Sequence, residues 1–382
     1  QTGPGAPRGM KGYTATLPNG EATVYIDRKR WLWLLSVAYP LEPLIGMGLH
    51  SVTGNEWWLL LPFLLNFGFG PVIDWVLGED RNNPPEEVVI QLDRDRYYRR
   101  LTYATVPLHF LTLIVACWYG ATQALSIPGF IGLALVTGMT AGLAINTGHE
   151  LGHKNSRLEK WLAKIVLAVP AYGHFTIDHN LGHHRNVSTP GDPASARMGE
   201  SIYKFAAREI PGAFREAWTI EKDRLQRRER PVWHPNNQIL QSYYVTAMLT
   251  VALVAAFGWL MVPFLLLHHV SAYWQLTSAN YIEHYGLLRE QDENGRFERC
   301  EPRHSWNSNH VFSNLVLFHL ERHSDHHANP LRRYQALRHF DDAPQLPNGY
   351  FGMYLLAYVP SLWFRVMDAR LMALPHVNGD LD

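Results

Sequence analysis

The chain has 382 residues, with 34 Lys+Arg against 34 Asp+Glu, 47% apolar residues and 13 Trp. A formal net charge of zero removes any global electrostatic case for binding nucleic acid, and this apolar content excludes a disordered chain. Two cysteines, Cys117 and Cys300, exclude a disulfide scaffold, a Cys-based zinc module and a cysteine-ligated iron–sulfur centre. The unusual figure is 20 His.

Along the chain, residues 1–30 read as a flexible N-terminal arm, rich in Gly, Pro and Thr over positions 1–24. Residues 31–78, 101–153 and 231–288 then contain no Lys or Arg. A bilayer crossing needs about 20 apolar residues, and these stretches hold six, at 31–53, 57–77, 102–123, 129–149, 240–257 and 258–282. The links between spans one and two, three and four, and five and six carry no basic residue, so all 34 Lys and Arg fall on one side. The positive-inside rule makes that side the cytoplasm, with both termini there.

The expected fold is therefore all-α: a polytopic integral membrane protein with six transmembrane helices and a cytoplasmic His-rich helical cap. One membrane-embedded domain covers 31–367, its cap formed by 150–239 and 283–367, and 368–382 reads as a C-terminal tail. The apolar run 161–175 is short, contains Pro170, and reads as re-entrant or interfacial. Residues 201–230 read as a solvated amphipathic helix, 289–302 as a loop, and 352–367 as a stretch docked on the bundle or lying in the interface.

Nine histidines fall in four packets. HELGHK places His149 and His153 at i,i+4, on one face of a helix. HNLGHH gives His179, His183 and His184; NYIEHYGL gives His284 beside Glu283; ERHSDHHA gives His323, His326 and His327. Imidazole suits iron, zinc, copper and nickel, and nine imidazoles exceed what one ion takes, so two ions are the economical count. HELGH also matches the H-E-x-x-H string of zinc hydrolases, with Glu150 as general base, but one zinc leaves three packets without a role. A metal transporter would place its ligands near the bilayer midplane, whereas these packets sit at the cytoplasmic ends of the spans. His109, His268 and His269 fall within spans, and His174, His304, His310, His319 and His339 lie close enough to packets to substitute for a chosen ligand. The chain has no flavin motif, no Rossmann fingerprint and no CxxC pair, so any electrons it uses come from a partner.

Taken together, HELGHK, HNLGHH, NYIEHYGL and RHSDHHA resemble the motifs of the membrane-bound alkane 1-monooxygenases, related to the membrane fatty-acid desaturase and hydroxylase group. NYxEHYG is the discriminating element, since the other three are shared more loosely with desaturases, hydroxylases and xylene monooxygenase. Asp178 stands where the family commonly has Glu. The resemblance implies two non-haem irons and the use of O2. It also implies electrons from rubredoxin, fed by an NADH-dependent reductase, and conversion of medium-chain n-alkanes to 1-alkanols at a bacterial inner membrane.

The implied ligands are His149, His153, His179, His183, His184, His284, His323, His326 and His327. Glu150, Asp178, Glu283 and Asp325 adjoin them and are candidates to orient imidazole N–H groups. Trp57, Trp58 and Phe63 are candidate lining residues of a substrate channel. Arg332, Arg333 and Arg338 are a candidate docking patch for acidic rubredoxin, or anchors to anionic lipid. The competing reading is a membrane di-iron acyl desaturase or hydroxylase, or a xylene-type monooxygenase.

Overall fold

A computed structural model describes residues 11–375 and 377. Positions 1–10 of the expected arm, and 376 and 378–382 of the expected tail, lie outside the described residues. The rest of the arm is a structured hairpin. Strands β1 (Gly12–Thr16) and β2 (Ala22–Ile26) pair antiparallel, Gly12 opposite Ile26. Asn19-Gly20 turns the chain, with Gly20 at φ 87°, a conformation glycine adopts without a side-chain penalty. Asp95 holds the hairpin by accepting from Lys11 Nζ at 3.0 Å, Tyr13 O–H at 2.6 Å and Arg30 Nη1 at 2.8 Å.

The first expected span is interrupted. A turn of helix (Leu34–Ala38) and a 3-10 turn (Tyr39–Leu41) lead into α1 (Glu42–Thr53). Pro40 and Pro43 cannot donate to the preceding turns, which segments the run. The 12 residues of α1 reach about 18 Å, short of the ~30 Å hydrocarbon core. The next apolar helices follow the sequence closely: α2 (Glu56–Leu77), then the polar α3 (Glu86–Arg94), α4 (Arg96–Thr122) and α5 (Ile127–Gly152).

Short α6 (Arg157–Val166) ends before Pro170, so the 161–175 run does not cross. α7 (Ile202–Gln226) is the expected amphipathic helix, but one face is packed rather than solvated, with Phe205, Glu209, Ala213 and Ala217 buried. α8 (Gln238–Phe257) leads to α9 (Met261–His284). Four helices among the described residues, α2, α4, α5 and α8, are long and apolar enough to cross a membrane, against six expected. α9 is long enough but carries His268, His269, Gln275, Asn280 and Glu283 within its run. Two short helices follow, α10 (Val311–Val316) and α11 (His323–Ala328). The last apolar stretch is two helices, α12 (Tyr350–Ala357) and α13 (Pro360–Met372), so helix extends into the tail expected from 368.

α5 and α9 form the most extensively packed pair in the fold. They approach so closely at Gly138 that a Cβ there would strike the His268 carbonyl, the kind of contact small residues allow between membrane helices. The two helices end side by side, α5 at His149 to Gly152 and α9 at His284. This brings the first and third His packets together.

Candidate metal centre

Helical spacing at the end of α5 sets His149 and His153 on one face, their ring centroids 5.1 Å apart. After Phe175–Ile177 the backbone widens into a π turn over Asp178–His183. In that wider turn residues four and five positions on straddle the first, so His183 and His184 fall to opposite sides of His179. α11 supplies His323, His326 and His327 from one and a half turns.

The nine imidazoles sort into two groups: His149, His153, His179, His184 and His326, and His183, His284, His323 and His327. Within each, the candidate ligand atoms all lie within 4.8 Å of one another. Their Nε2 atoms converge. In the first group His149–His326 is 2.8 Å, His179–His184 3.1 Å and His184–His326 3.0 Å. In the second, His284–His323 is 3.1 Å and His323–His327 2.9 Å. Two nitrogens bound at right angles to one ion, each at about 2.1 Å, stand about 3.0 Å apart.

Hydrogen bonding alone does not account for this convergence, because a neutral imidazole has one N–H to give. Nε2 of His153 and of His183 are buried with no partner at all, a costly state that a bound cation relieves. The residues present therefore fit two imidazole-bound metal ions.

Two of the outer nitrogens, those of His183 and His284, are held too. Asp192 Oδ2 accepts from His183 Nδ1–H at 2.9 Å, and is itself held by Ser195 O–H at 2.6 Å. Burial opposes charge on His183, but the Asp192 carboxylate outweighs it and lifts the imidazole above its ordinary range. Burial would likewise raise Asp192, yet His183 holds it below the usual carboxylate range. His284 Nδ1–H donates to the His304 carbonyl at 3.1 Å.

A narrow apolar cavity of about 60 Å³ opens onto both groups, reaching His149 and His179 of one and His323 of the other, beside Glu283. Its walls include Leu143, Leu276, Ala279, Leu317 and Leu320, with Phe351 and Tyr354 also in contact.

The fatty acid desaturase family model matches residues 125–357, which contain all nine imidazoles. The chain is 56% identical to Alkane 1-monooxygenase 1 of Alcanivorax borkumensis, over 94% of this chain and 88% of that relative. It is 53% identical to Alkane 1-monooxygenase of Pseudomonas putida, over 97% and 92%. The chain belongs to the alkane 1-monooxygenase family. A xylene/toluene monooxygenase hydroxylase component of Pseudomonas putida is more distant, 28% identical over 64% of each chain. With its four apolar helices, this alkane 1-monooxygenase family member is an integral membrane protein.

Several expectations need correction. Of the four acids next to ligands, only Glu283 contacts an imidazole: its Oε2 is 3.4 Å from His323 Nε2, the metal-facing nitrogen, and its Oε1 accepts from Tyr350 O–H at 2.9 Å. Glu150 instead pairs with Lys154 at 3.3 Å and Asp325 with Arg332 at 2.8 Å, while Asp178 Oδ1 is buried without a partner. The N–H acceptors that the structure does supply, Asp192 and the His304 carbonyl, were missed.

Trp57, Trp58 and Phe63 do not line the cavity. Glu56 accepts from the Ser126 N–H at 2.7 Å, which fixes the start of α2 beside the start of α5. His149 lies 22 residues beyond Ile127, roughly 30 Å along the helix. Trp57 is 77% exposed there, and Phe63 packs at a tilt against Phe67 with centroids 6.1 Å apart.

The arginines are not a free basic patch. Arg332 also reaches Glu86 at 2.5 Å, Arg333 is buried on Glu159 at 2.7 Å, and Arg338 pairs with Glu86 at 2.8 Å. None of the spare histidines His174, His304, His310, His319 and His339 enters either metal group.

One further acid packs behind the cavity. Glu209 on α7 accepts from Thr277 O–H at 2.8 Å and Asn280 Nδ2 at 3.1 Å, and Asn280 faces the cavity. Burial is the main influence on Glu209; it lifts the carboxyl to about 7, against 4.5 when unperturbed, despite those two bonds. A carboxyl raised in the folded state favours folding at low pH and loses that advantage as pH rises through about 7. Glu209→Gln is therefore expected to match the parent near pH 5 and to exceed it in thermal stability above pH 8, by on the order of 2–3 kcal/mol. Unfolding curves in detergent across that range test this, and a gap that shrinks with rising pH would refute it.

Proposed function

We propose that the protein is a di-iron monooxygenase that hydroxylates the terminal methyl of medium-chain n-alkanes, using O2 and electrons from rubredoxin. The observation that carries this reading is the convergence of nine imidazoles into two groups at the end of one apolar cavity. The reaction balances as R–CH3 + O2 + 2 e⁻ + 2 H⁺ → R–CH2OH + H2O. A methyl group offers no acidic proton and no polar handle, so acid–base or nucleophilic side chains cannot begin the reaction. Bound iron supplies the oxygen chemistry, and the protein supplies orientation and exclusion of water.

The chain's own contribution starts from the cavity. Its narrow apolar walls take the leading end of a linear chain, and an alkane entering end-on presents its methyl group to His149, His179 and His323. Asp192 and the His304 carbonyl fix His183 and His284 with Nε2 free for metal. Electrons enter where ligands reach the surface: His153 and His184 are half-buried, whereas the other seven are buried. Rubredoxin, reduced through an NADH-dependent reductase, is the donor in this reading, docking over those two edges rather than over Arg332, Arg333 and Arg338.

In the same reading a single domain over 31–367 crosses the bacterial cytoplasmic membrane six times. The segmented 31–53 run and α9 complete the four apolar helices, and the cap and both termini lie in the cytoplasm. Segregation of every basic residue to one side supports this topology.

Product analysis tests the proposal. Iron-loaded protein in nanodiscs, given rubredoxin, its reductase, NADH and a mixture of n-alkanes, is expected to yield primary alkanols identified by mass spectrometry. Absence of alkanol from protein holding two irons would move the reading to an acyl-chain or alkyl-aromatic substrate.

A further inference from the structure

The turn between α10 and α11 carries both cavity wall and metal ligand, and its backbone is strained. Phe318 and His319 stand at φ 53° and 52°, a left-handed conformation that bulky L-residues rarely adopt. Leu317 and Leu320 on either side line the cavity, and His323 follows. Something must hold such a turn in place. From α5, Asn146 Nδ2 donates to the Leu317 carbonyl at 2.7 Å.

The opposite side is held by the N-terminal segment just after the hairpin. Lys29 Nζ lies 3.1 Å from His319 Nε2 and 2.9 Å from Asp80 Oδ2. Trp33, fully buried, packs edge-on against the His319 ring at 4.6 Å. Ser36 O–H donates to the Leu315 carbonyl. The other ring nitrogen, His319 Nδ1, is 2.9 Å from the Tyr334 carbonyl. A carbonyl only accepts, so Nδ1 carries the proton and Nε2 of the neutral ring accepts from the Lys29 ammonium. His319, a spare histidine by sequence, is thus a strut between the N-terminal segment and the turn.

We propose that Lys29 is a positioning residue for substrate: acting through His319, it holds the left-handed turn that sets Leu317 and Leu320 against the end of the alkane. The inference rests on the terminal-hydroxylation reading, because it assigns the turn to selectivity for the last carbon. Lys29 touches neither substrate nor metal ligand. Its removal lets the turn relax, widens the inner end of the cavity and admits the penultimate carbon.

The test uses full-length, iron-loaded protein in nanodiscs with octane, comparing the parent, Lys29→Met and Lys29→Arg. Two readouts are taken: the ratio of 1-octanol to 2-octanol, and hydrogen–deuterium exchange across residues 315–322. Lys29→Met is expected to lower the ratio roughly tenfold and to speed exchange in that segment, with iron per chain unchanged. Lys29→Arg is expected to restore both.

Several results would overturn the proposal: an unchanged ratio, an altered ratio without faster exchange, or loss of iron from Lys29→Met. Should Lys29→Met not fold, Lys29→Gln, whose shorter side chain stops short of the position of the Lys29 ammonium, is read in the same two ways. Absence of any octanol from the parent would instead count against the proposed function, and the exchange comparison would still decide whether Lys29 holds the turn.

Discussion

His284→Ala is expected to hold one iron at saturation where the parent holds two, and to make no detectable 1-alkanol. The two imidazole groups are unequal. The group of His183, His284, His323 and His327 has four nitrogens, all buried, and among the described residues no further histidine joins it. Removing His284 leaves three imidazoles, and the carboxylate beside their inner nitrogens, Glu283, offers only one oxygen, since Tyr350 holds the other. The group of five keeps four after a single loss, so His184→Ala is expected to retain two irons, one of them bound more weakly by at least about a hundredfold. Metal analysis beside product analysis checks both. Two tightly held irons in His284→Ala would show that this imidazole is not a ligand.

The second large effect concerns a residue outside every packet. Asp192→Asn is expected to weaken iron at the group of four by about 10–100-fold, with activity falling in step. The cause is tautomeric. Asp192 accepts from His183 Nδ1–H and so leaves Nε2 bare for a metal. An asparagine can turn its amide N–H toward Nδ1, which moves the ring proton to Nε2 and blocks coordination. Asp178→Asn is the control, because Asp178 is adjacent to His179 in sequence yet bonds to no imidazole. Equal effects of the two substitutions would remove the tautomer explanation.

These two aspartates show what the sequence can and cannot reveal. The nine candidate ligands were legible as a set because metal binding demands one residue type at helical spacing, and the structure brings all four packets together. Their division five to four was not legible, since it depends on a π turn that sends His183 and His184 to opposite sides. Asp178 attracts notice by adjacency, but adjacent residues on a helix point apart; Asp192 reaches His183 only because the chain folds back through Gly191 to Ser195.

The arginines failed for a related reason. Their partners Glu86 and Glu159 lie more than 170 residues away, so their neutralisation is invisible locally. The tryptophans were apolar enough for a channel, but composition does not say which end of a span is near the metal. The hairpin was signalled by Asn19-Gly20 between β-branched residues and was overlooked amid the Gly and Pro around it. The apolar helices were read well because length and charge depletion are properties of sequence alone, whereas the breaks at Pro40 and Pro43 needed more weight.

The sharing of segments between the two groups has a thermodynamic consequence. The stretch from Asp178 to His184 sends His179 and His184 to one group and His183 to the other, and α11 divides His326 from His323 and His327 in the same way. Whichever ion arrives first pays the ordering entropy of both stretches, and the second finds its half already in place. On the proposed di-iron reading, loading is therefore expected to be cooperative. At limiting iron the chains divide into empty and filled, with few carrying a single ion, and a chelator that strips one site loosens the other. Such coupling keeps half-assembled centres, with one metal and an open apolar cavity, a small fraction of the population.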